Sequence, residues 1–128
     1  MILVDTSVWI ELLAGRGRRP SADDLLECAT CGPVLQEVLQ GLRPGAASDV
    51  FREAFLALPR LSDPLPSVVF LAAAEIYRDG RRRGYSIRSG VDCLIAAIAI
   101  QNRVPVWHHD RDFTTIARYA PLEVLAAE

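Results

Sequence analysis

Two short apolar runs, each with a carboxylate behind it, constrain the fold of this chain more than any other feature. "MILVD" covers residues 1–5 and "VPVWHHD" covers residues 104–110. A continuous apolar run is typical of a strand buried on both faces, as the strands of parallel sheets are. Helical patterns fill the sequence between the two runs, and strands that alternate with helices indicate βαβ units. We therefore predict an α/β fold, a three-layer α/β/α sandwich with a short central parallel sheet.

The remaining elements follow from apolar spacing and turn residues. Helices are predicted over residues 7–14, 21–29, 31–42, 46–58, 67–84, 89–102 and 112–119, and a short last strand over "LEVL", residues 122–125. The segment "SGVDCLIAAIAIQN" is apolar almost all round, so its helix should be buried on most sides. With 128 residues and 51% hydrophobic content, the chain has the size of one domain, residues 1–128.

Charge and composition exclude several classes of protein. The net charge is −2, so binding of nucleic acid would depend on a local patch rather than on the whole molecule. All 14 basic residues are arginine, and the absence of lysine excludes a Walker A nucleotide-binding loop. No apolar run approaches the roughly 20 residues that span a bilayer, and the N-terminal sequence lacks the features of a secretory signal. We expect a cytoplasmic protein without membrane attachment.

Four acidic residues are candidates for one shared site. Asp5 and Asp110 end the two clear strands, and the carboxyl ends of parallel strands meet at one edge of a sheet. If the buried helix starts at that edge, Asp92 joins them and Glu37 can reach across, although a solvated surface position is the simpler explanation for Glu37 alone. Two like charges about 4 Å apart repel by roughly 4 kcal/mol at an effective dielectric constant of about 20. The four acids therefore imply a cation, and oxygen ligands favour Mg²⁺ or Mn²⁺.

Three of these positions also have structural explanations. Asp5 can cap the helix that follows it, a common role of aspartate at such a junction. Ser89 and Asp92 have the spacing of a capping box. A turn aspartate can cap the last short helix, and Asp112 fits that position better than Asp110 does. Taken singly, these residues leave both explanations open.

The ordered set of motifs resembles a known family, the PIN-domain ribonucleases, in particular the toxin member of VapBC-type toxin–antitoxin pairs. The resemblance rests on "ILVDTS", on a helix with "QEVLQGL", on "SGVDCLIAAIAI" and on "HHDRDF", which run in this order from residue 2 to residue 113. Each motif alone has modest specificity, whereas their order in a chain of this length is specific.

This resemblance implies a function and a set of site residues. Asp5, Glu37, Asp92 and Asp110 match the family's catalytic, metal-binding acidic quartet, with Asp112 as an auxiliary acid and Thr6 as a supporting residue. The implied reaction is hydrolysis of RNA phosphodiester bonds assisted by Mg²⁺ or Mn²⁺, which leaves a 5′-phosphate and a 3′-hydroxyl. The implied partners are RNA, a small antitoxin and a second copy of the chain in a homodimer.

Arginines just before Asp92 are candidates for contact with RNA phosphates. "YRDGRRRGYSIRSG" contains Arg81, Arg82, Arg83 and Arg88 as well as Arg78, and "GRGRR" adds Arg16, Arg18 and Arg19. A charge run is more often a solvated helix end, and three of these arginines also complement the C-terminus of a helix. The sequence leaves both uses open.

Two alternative functions also remain open at this stage. The first is a catalytically inactive PIN-like module that acts through protein contacts. The second, less favoured, is a zinc protein that uses Cys28 and Cys31 of "CATC" with His108 and His109. For Cys28 and Cys31, burial as free cysteines is the simpler explanation. Histidines at the end of a buried strand are more often structural, and we assign them no catalytic role.

Overall fold

The computed structural model describes residues 1–17 and 20–126. Within them the strands are β1 (Ile2–Val4), β2 (Cys28–Ala29), β3 (Val106–His108) and β4 (Val124–Ala126), and the helices are α1 (Thr6–Leu13), α2 (Ala22–Glu27), α3 (Gly32–Gln40), α4 (Ala46–Leu56), α5 (Ser67–Arg82), α6 (Gly90–Asn102) and α7 (Arg111–Ile116). Each predicted helix has a counterpart here. In the described part of the chain, no helix is long and apolar enough to cross a bilayer.

The strands that the structure describes form one parallel sheet in the order β2-β1-β3-β4. From β1 the chain crosses to β2 on one side of it, and then returns past β1 to β3 and β4 on the other side. Because such crossovers are almost always right-handed, this reversal puts helices on both faces of the sheet. The prediction of an α/β sandwich around a parallel sheet is confirmed.

Strand β2 is the element that the sequence analysis missed. It contains only Cys28 and Ala29, and the predicted helix over residues 21–29 was too long at its C-terminus. The backbone at Cys28 is already extended and pairs with Ile2 of β1. Two residues are too few to show a strand period, so tertiary pairing decided the outcome.

Helix α6 lies at the centre of the core, as its apolar sequence predicts. Seven of its 13 residues are buried, and it packs along α5 and also contacts α3 and α7. Its first turn carries Asp92, which is buried as well. A carboxyl group has therefore entered the edge of an apolar core.

Strands β1 and β3 are neighbours at the point where the chain reverses direction across the sheet. In open α/β sheets, a crevice opens beyond the carboxyl ends of the strands at such a point. Asp5 directly follows β1, and Asp110 follows β3 by two residues. The fold thus brings the two strand-end acids to the same edge.

Candidate active site

A hydroxyl group joins the ends of β1 and β3. The carboxylate of Asp5 accepts hydrogen bonds from the backbone N–H of Ser7, at 3.1 Å, and from the Ser7 hydroxyl. The Ser7 hydroxyl oxygen in turn accepts a bond of 2.9 Å from the backbone N–H of His109. Asp5 is therefore both the N-cap of α1 and a member of the strand-end cluster. The sequence analysis missed Ser7, whose only signal was its place two residues after a strand-end aspartate.

Three carboxylates form the centre of the site. Oxygen atoms of Asp92, Asp110 and Asp112 all lie within 4.8 Å of one another, and no other described group of three or more His, Cys, Asp or Glu side chains is as close. Asp92 and Asp112 are buried, whereas Asp110 is half-buried. An all-oxygen set of this size suits a hard divalent cation rather than zinc.

The crowding changes the protonation of Asp92. Burial raises the pKa of its carboxyl group to about 9, with further contributions from a hydrogen bond to Asp112 and from the negative charges of Asp110 and Asp5. Burial also raises the pKa of Asp5, although its bonds from Ser7 offset part of this effect. The raised pKa favours the protonated form of Asp92 at neutral pH when no cation is bound, and a protonated carboxyl group can donate a hydrogen bond to Asp112.

Asp112 fixes the start of α6 against α7. Its carboxylate accepts hydrogen bonds from the backbone N–H of Arg88, at 3.2 and 3.3 Å, and from that of Ser89, at 3.2 Å. These bonds, rather than a capping box, bring Asp92 next to Asp112. The Ser89 side chain makes no capping hydrogen bond, so the capping-box explanation of Asp92 was wrong.

Asp110, not Asp112, is the N-cap of α7. Its carboxylate accepts the backbone N–H of Asp112 at 2.9 Å, and its backbone is extended. The preference for Asp112 as the cap was therefore wrong. The reason is that α7 begins at Arg111, which puts Asp112 inside the first turn and frees its side chain to reach the 88–89 backbone.

Glu37 lies outside this cluster of three carboxylates. Its carboxylate accepts a hydrogen bond of 2.9 Å from the hydroxyl of Thr6, which is itself buried. Because Thr6 directly follows Asp5, this bond ties α3 to the end of β1. The predicted quartet thus shares one edge of the sheet, but the tightest group consists of Asp92, Asp110 and the predicted auxiliary acid Asp112.

The predicted RNA-contacting arginines divide into two groups. Arg88 reaches the cluster and forms ion pairs with Asp110 at 3.1 Å and Asp112 at 3.6 Å. Arg81, Arg82 and Arg83 lie exposed at the end of α5, where Arg82 and Arg83 pair with Asp79. Arg16 pairs with Glu11, while Arg18 and Arg19 lie outside the described residues.

The cysteines and histidines have structural positions. Burial raises the pKa of the Cys31 thiol to about 12, so its neutral thiol form is favoured. Cys28 is also buried, and neither cysteine belongs to a group of three potential ligands among the described residues. His108 is buried and accepts the backbone N–H of Asp110 through Nδ1, while burial lowers its pKa. The zinc alternative therefore has no site in residues 1–17 and 20–126.

Comparison with known proteins decides the family. A family model described as "PIN domain" matches residues 2–119. This chain belongs to the PIN-domain family. The described acidic cluster and all four members of the predicted quartet lie within the matched segment. The resemblance that the sequence motifs indicated is confirmed.

Relatives narrow the position of this PIN-domain protein within its family. Ribonuclease VapC11 of Mycobacterium tuberculosis and VapC ribonuclease Mb1587 of Mycobacterium bovis are each 39% identical to it over 136 residues, which covers 96% of both chains. A solved structure of VapBC2 from Rickettsia felis, bound to a DNA fragment from its promoter, matches the fold with a TM-score of 0.75 and 17% identity over the whole of both chains. The match in fold and the matches in sequence therefore support the same family assignment.

Proposed function

We propose that this PIN-domain chain is a metal-dependent endoribonuclease that hydrolyses RNA phosphodiester bonds and acts as the toxin of a toxin–antitoxin pair. The observation that carries the proposal is the cluster of Asp92, Asp110 and Asp112 at the point where the sheet reverses direction. The full-length identity to proteins named VapC ribonucleases supports it. We further propose that residues 1–128 act as a single PIN-like domain in the cytoplasm.

The donor set fits Mg²⁺ or Mn²⁺. Asp92, Asp110 and Asp112 offer carboxylate oxygens within 4.8 Å of one another, and Asp5 is close enough to raise the pKa of Asp92. A divalent cation bound there would supply activation of water and neutralisation of charge on the phosphate. We propose the quartet of Asp5, Asp92, Asp110 and Glu37 as its catalytic and metal-binding residues.

The chain's own residues prepare this site before any cation binds. Ser7 holds the Asp5 carboxylate, Thr6 holds Glu37, and Asp112 holds the start of α6. Asp92 must release its proton to act as a ligand, so cation binding should be coupled to proton release. The oriented carboxylates then need little rearrangement, which is what a preorganised site requires.

Cleavage of RNA tests the proposal directly. Structured RNA incubated with the protein and Mg²⁺ should be cut, EDTA should stop the reaction, and Asp5→Asn or Asp92→Asn should abolish it. Asp23→Asn on exposed α2 is the matched control, because it removes the same charge far along the chain from the cluster. Cleavage that persists in both site variants rejects the assignment. Absence of cleavage over many RNAs, with protein binding retained, would favour the inactive-module alternative.

The proposed partners follow from the relatives and from the charge pattern. We propose a small antitoxin as the inhibitor, a homodimer as the assembly, and Arg81, Arg82, Arg83 and Arg88 as contacts to RNA phosphate. Arg81 to Arg83 are exposed at the C-terminal end of α5, and the exposed ion pairs of Arg82 and Arg83 with Asp79 can exchange for contacts with a polyanion. Replacing all three by glutamine should weaken RNA binding and reduce its salt dependence, because fewer counterions are released. Sedimentation of the purified chain tests the homodimer.

A further inference from the structure

Arg88 places a positive charge beside the acidic cluster, where the carboxylates of Asp92, Asp110 and Asp112 crowd together. Its guanidinium lies 3.1 Å from an oxygen of Asp110, and its Nε lies 3.6 Å from an oxygen of Asp112. These two carboxylates belong to the group of three whose oxygens lie within 4.8 Å of one another. The guanidinium and a divalent cation therefore have the same binding partners.

The rest of Arg88 is held in place independently of its side chain. Its backbone N–H donates to both oxygens of Asp112, at 3.2 and 3.3 Å, and the neighbouring Ser89 N–H donates there too. These backbone bonds survive any change of the side chain other than to proline. The side chain can thus leave the carboxylates without releasing the start of α6.

Space for such a movement lies next to the cluster. Arg88 also lines a cleft of about 490 Å³ between α5 and the start of α6, with Tyr77, Arg78 and Gly90 among its walls. The Arg88 side chain is 53% exposed, so its ion pairs are only partly shielded from water. Ion pairs of this exposure are weak and exchange readily.

We propose that Arg88 is a tethered competitor for the cation site, paired with Asp110 and Asp112 until a divalent cation displaces its guanidinium towards the cleft. The inference rests on the proposed function only in assuming that these carboxylates bind a cation. In this arrangement the site is never left with three unpaired acids, and the affinity for the cation is lower than the carboxylates alone would give. Arg88 is therefore a positioning residue that tunes the site without being one of its ligands.

Mn²⁺ binding to the full-length chain without RNA tests this inference. Calorimetric titration should give a Kd for Mn²⁺ about tenfold lower in Arg88→Ala and in Arg88→Gln than in the unaltered protein, a change of about 1.4 kcal/mol. Arg88→Lys, which keeps the positive charge, should lie near the unaltered value. Arg52→Ala on exposed α4 removes the same charge elsewhere and should leave the Kd unchanged. The rise in melting temperature on addition of Mn²⁺ should also be larger in Arg88→Gln than in the unaltered chain.

The possible outcomes separate this inference from the proposed function. An unchanged or raised Kd in both neutral variants, with RNA still cleaved by the unaltered protein, overturns the role of Arg88 and leaves the nuclease assignment intact. A lowered Kd in Arg52→Ala as well would mean that overall charge, not competition, sets the affinity, and would also overturn it. Failure of the unaltered protein both to bind Mn²⁺ and to cleave RNA rejects the two proposals together.

Discussion

Two sets of acids share one edge of the sheet, and they are kept in place by different chemistry. Asp5 accepts a hydrogen bond from the hydroxyl of Ser7, and Glu37 accepts one from the hydroxyl of Thr6. Among the described residues, no cationic side chain forms an ion pair with either carboxylate. Hydroxyl donors stabilise a carboxylate locally, and the Ser7 bonds offset part of the effect by which burial raises the pKa of Asp5.

The second set is crowded instead. Asp92, Asp110 and Asp112 lie within 4.8 Å of one another, and their repulsion is relieved by the proton on Asp92 and by the guanidinium of Arg88. A divalent cation can replace both the proton and the guanidinium. The comparison predicts that the second set contributes most of the cation affinity, whereas Asp5 and Glu37 of the first set contribute less.

The largest expected effect is on cation binding by Asp110→Asn. Asparagine is as good an N-cap as aspartate, so α7 should form as before. Loss of one carboxylate from the crowded set should raise the Kd for Mn²⁺ by more than about 100-fold. Glu37→Gln alters a proposed ligand that lies outside that set, so it should raise the Kd only about tenfold, a change of about 1.4 kcal/mol. Calorimetric titration of both variants measures this. Equal losses in the two variants would remove the distinction between the sets.

The next effect is on stability, and it depends on pH. Burial raises the pKa of Asp92 to about 9 in the folded chain, against an ordinary aspartate value of 3.8. Below pH 3.8 both the folded and the unfolded chain carry this proton. Between pH 3.8 and about pH 9 only the folded chain binds it, so the free energy of unfolding falls as pH rises. Asp92→Asn keeps a donor for Asp112 and removes this dependence, so it should raise the melting temperature of EDTA-treated protein by about 5 °C at pH 8.

The size of that rise at different pH values is the internal control. The gain from Asp92→Asn should be smaller at pH 5 than at pH 8, because fewer pH units then separate the solution from the unfolded pKa. Thermal unfolding in EDTA at the two pH values measures it. A lower melting temperature in the variant would mean that the carboxylates do not destabilise each other in the folded chain.

Ser7→Ala tests the first set at its connection between the two strands. The substitution removes the hydroxyl that donates to Asp5 and accepts from the His109 backbone. It leaves the buried Asp5 carboxylate with one donor fewer, which should cost about 1–2 kcal/mol in the free energy of unfolding. Urea unfolding of this variant beside Ser67→Ala, an exposed serine at the start of α5, measures the difference. Equal free energies would show that the bridge does not hold the strand ends together.

The sequence predicted the sheet and its acidic edge because these depend on patterns that a single chain displays. β1 and β3 are continuous apolar runs, α6 is apolar all round, and Asp5 and Asp110 stand directly at or after the strand ends. Parallel topology then decides that the two acids share an edge. Glu37 was included as an acid that can reach across from its helix, although its helix position alone favoured a surface role, and the family resemblance then supported its inclusion.

Details that depend on backbone direction and on long-range partners were not predictable. The start of α7 differed by one residue, which exchanged the roles of Asp110 and Asp112, and boundaries are the least reliable part of a prediction from sequence. Asp112 bonds to the backbone of residues 88 and 89, more than 20 positions away. No spacing rule connects such positions. For the same reason Arg88 was grouped with the α5 arginines, although it pairs with the cluster.

The smallest effect is expected from Thr6→Val, which changes the shape of the side chain little and removes the hydroxyl that donates to Glu37 at 2.9 Å. Glu37 is only half-buried, so water can replace this donor, and the free energy of unfolding should fall by no more than about 1 kcal/mol. Thr115→Val, which removes a hydroxyl bonded to a carbonyl of its own helix α7, is the matched control. The Kd for Mn²⁺ should change by less than the tenfold expected of Glu37→Gln, since Glu37 keeps its charge. The contrary result is that Thr6→Val weakens Mn²⁺ binding as much as Asp110→Asn does. That result would mean that Asp5 and Glu37 determine the cation affinity, and that the crowding of Asp92, Asp110 and Asp112 does not.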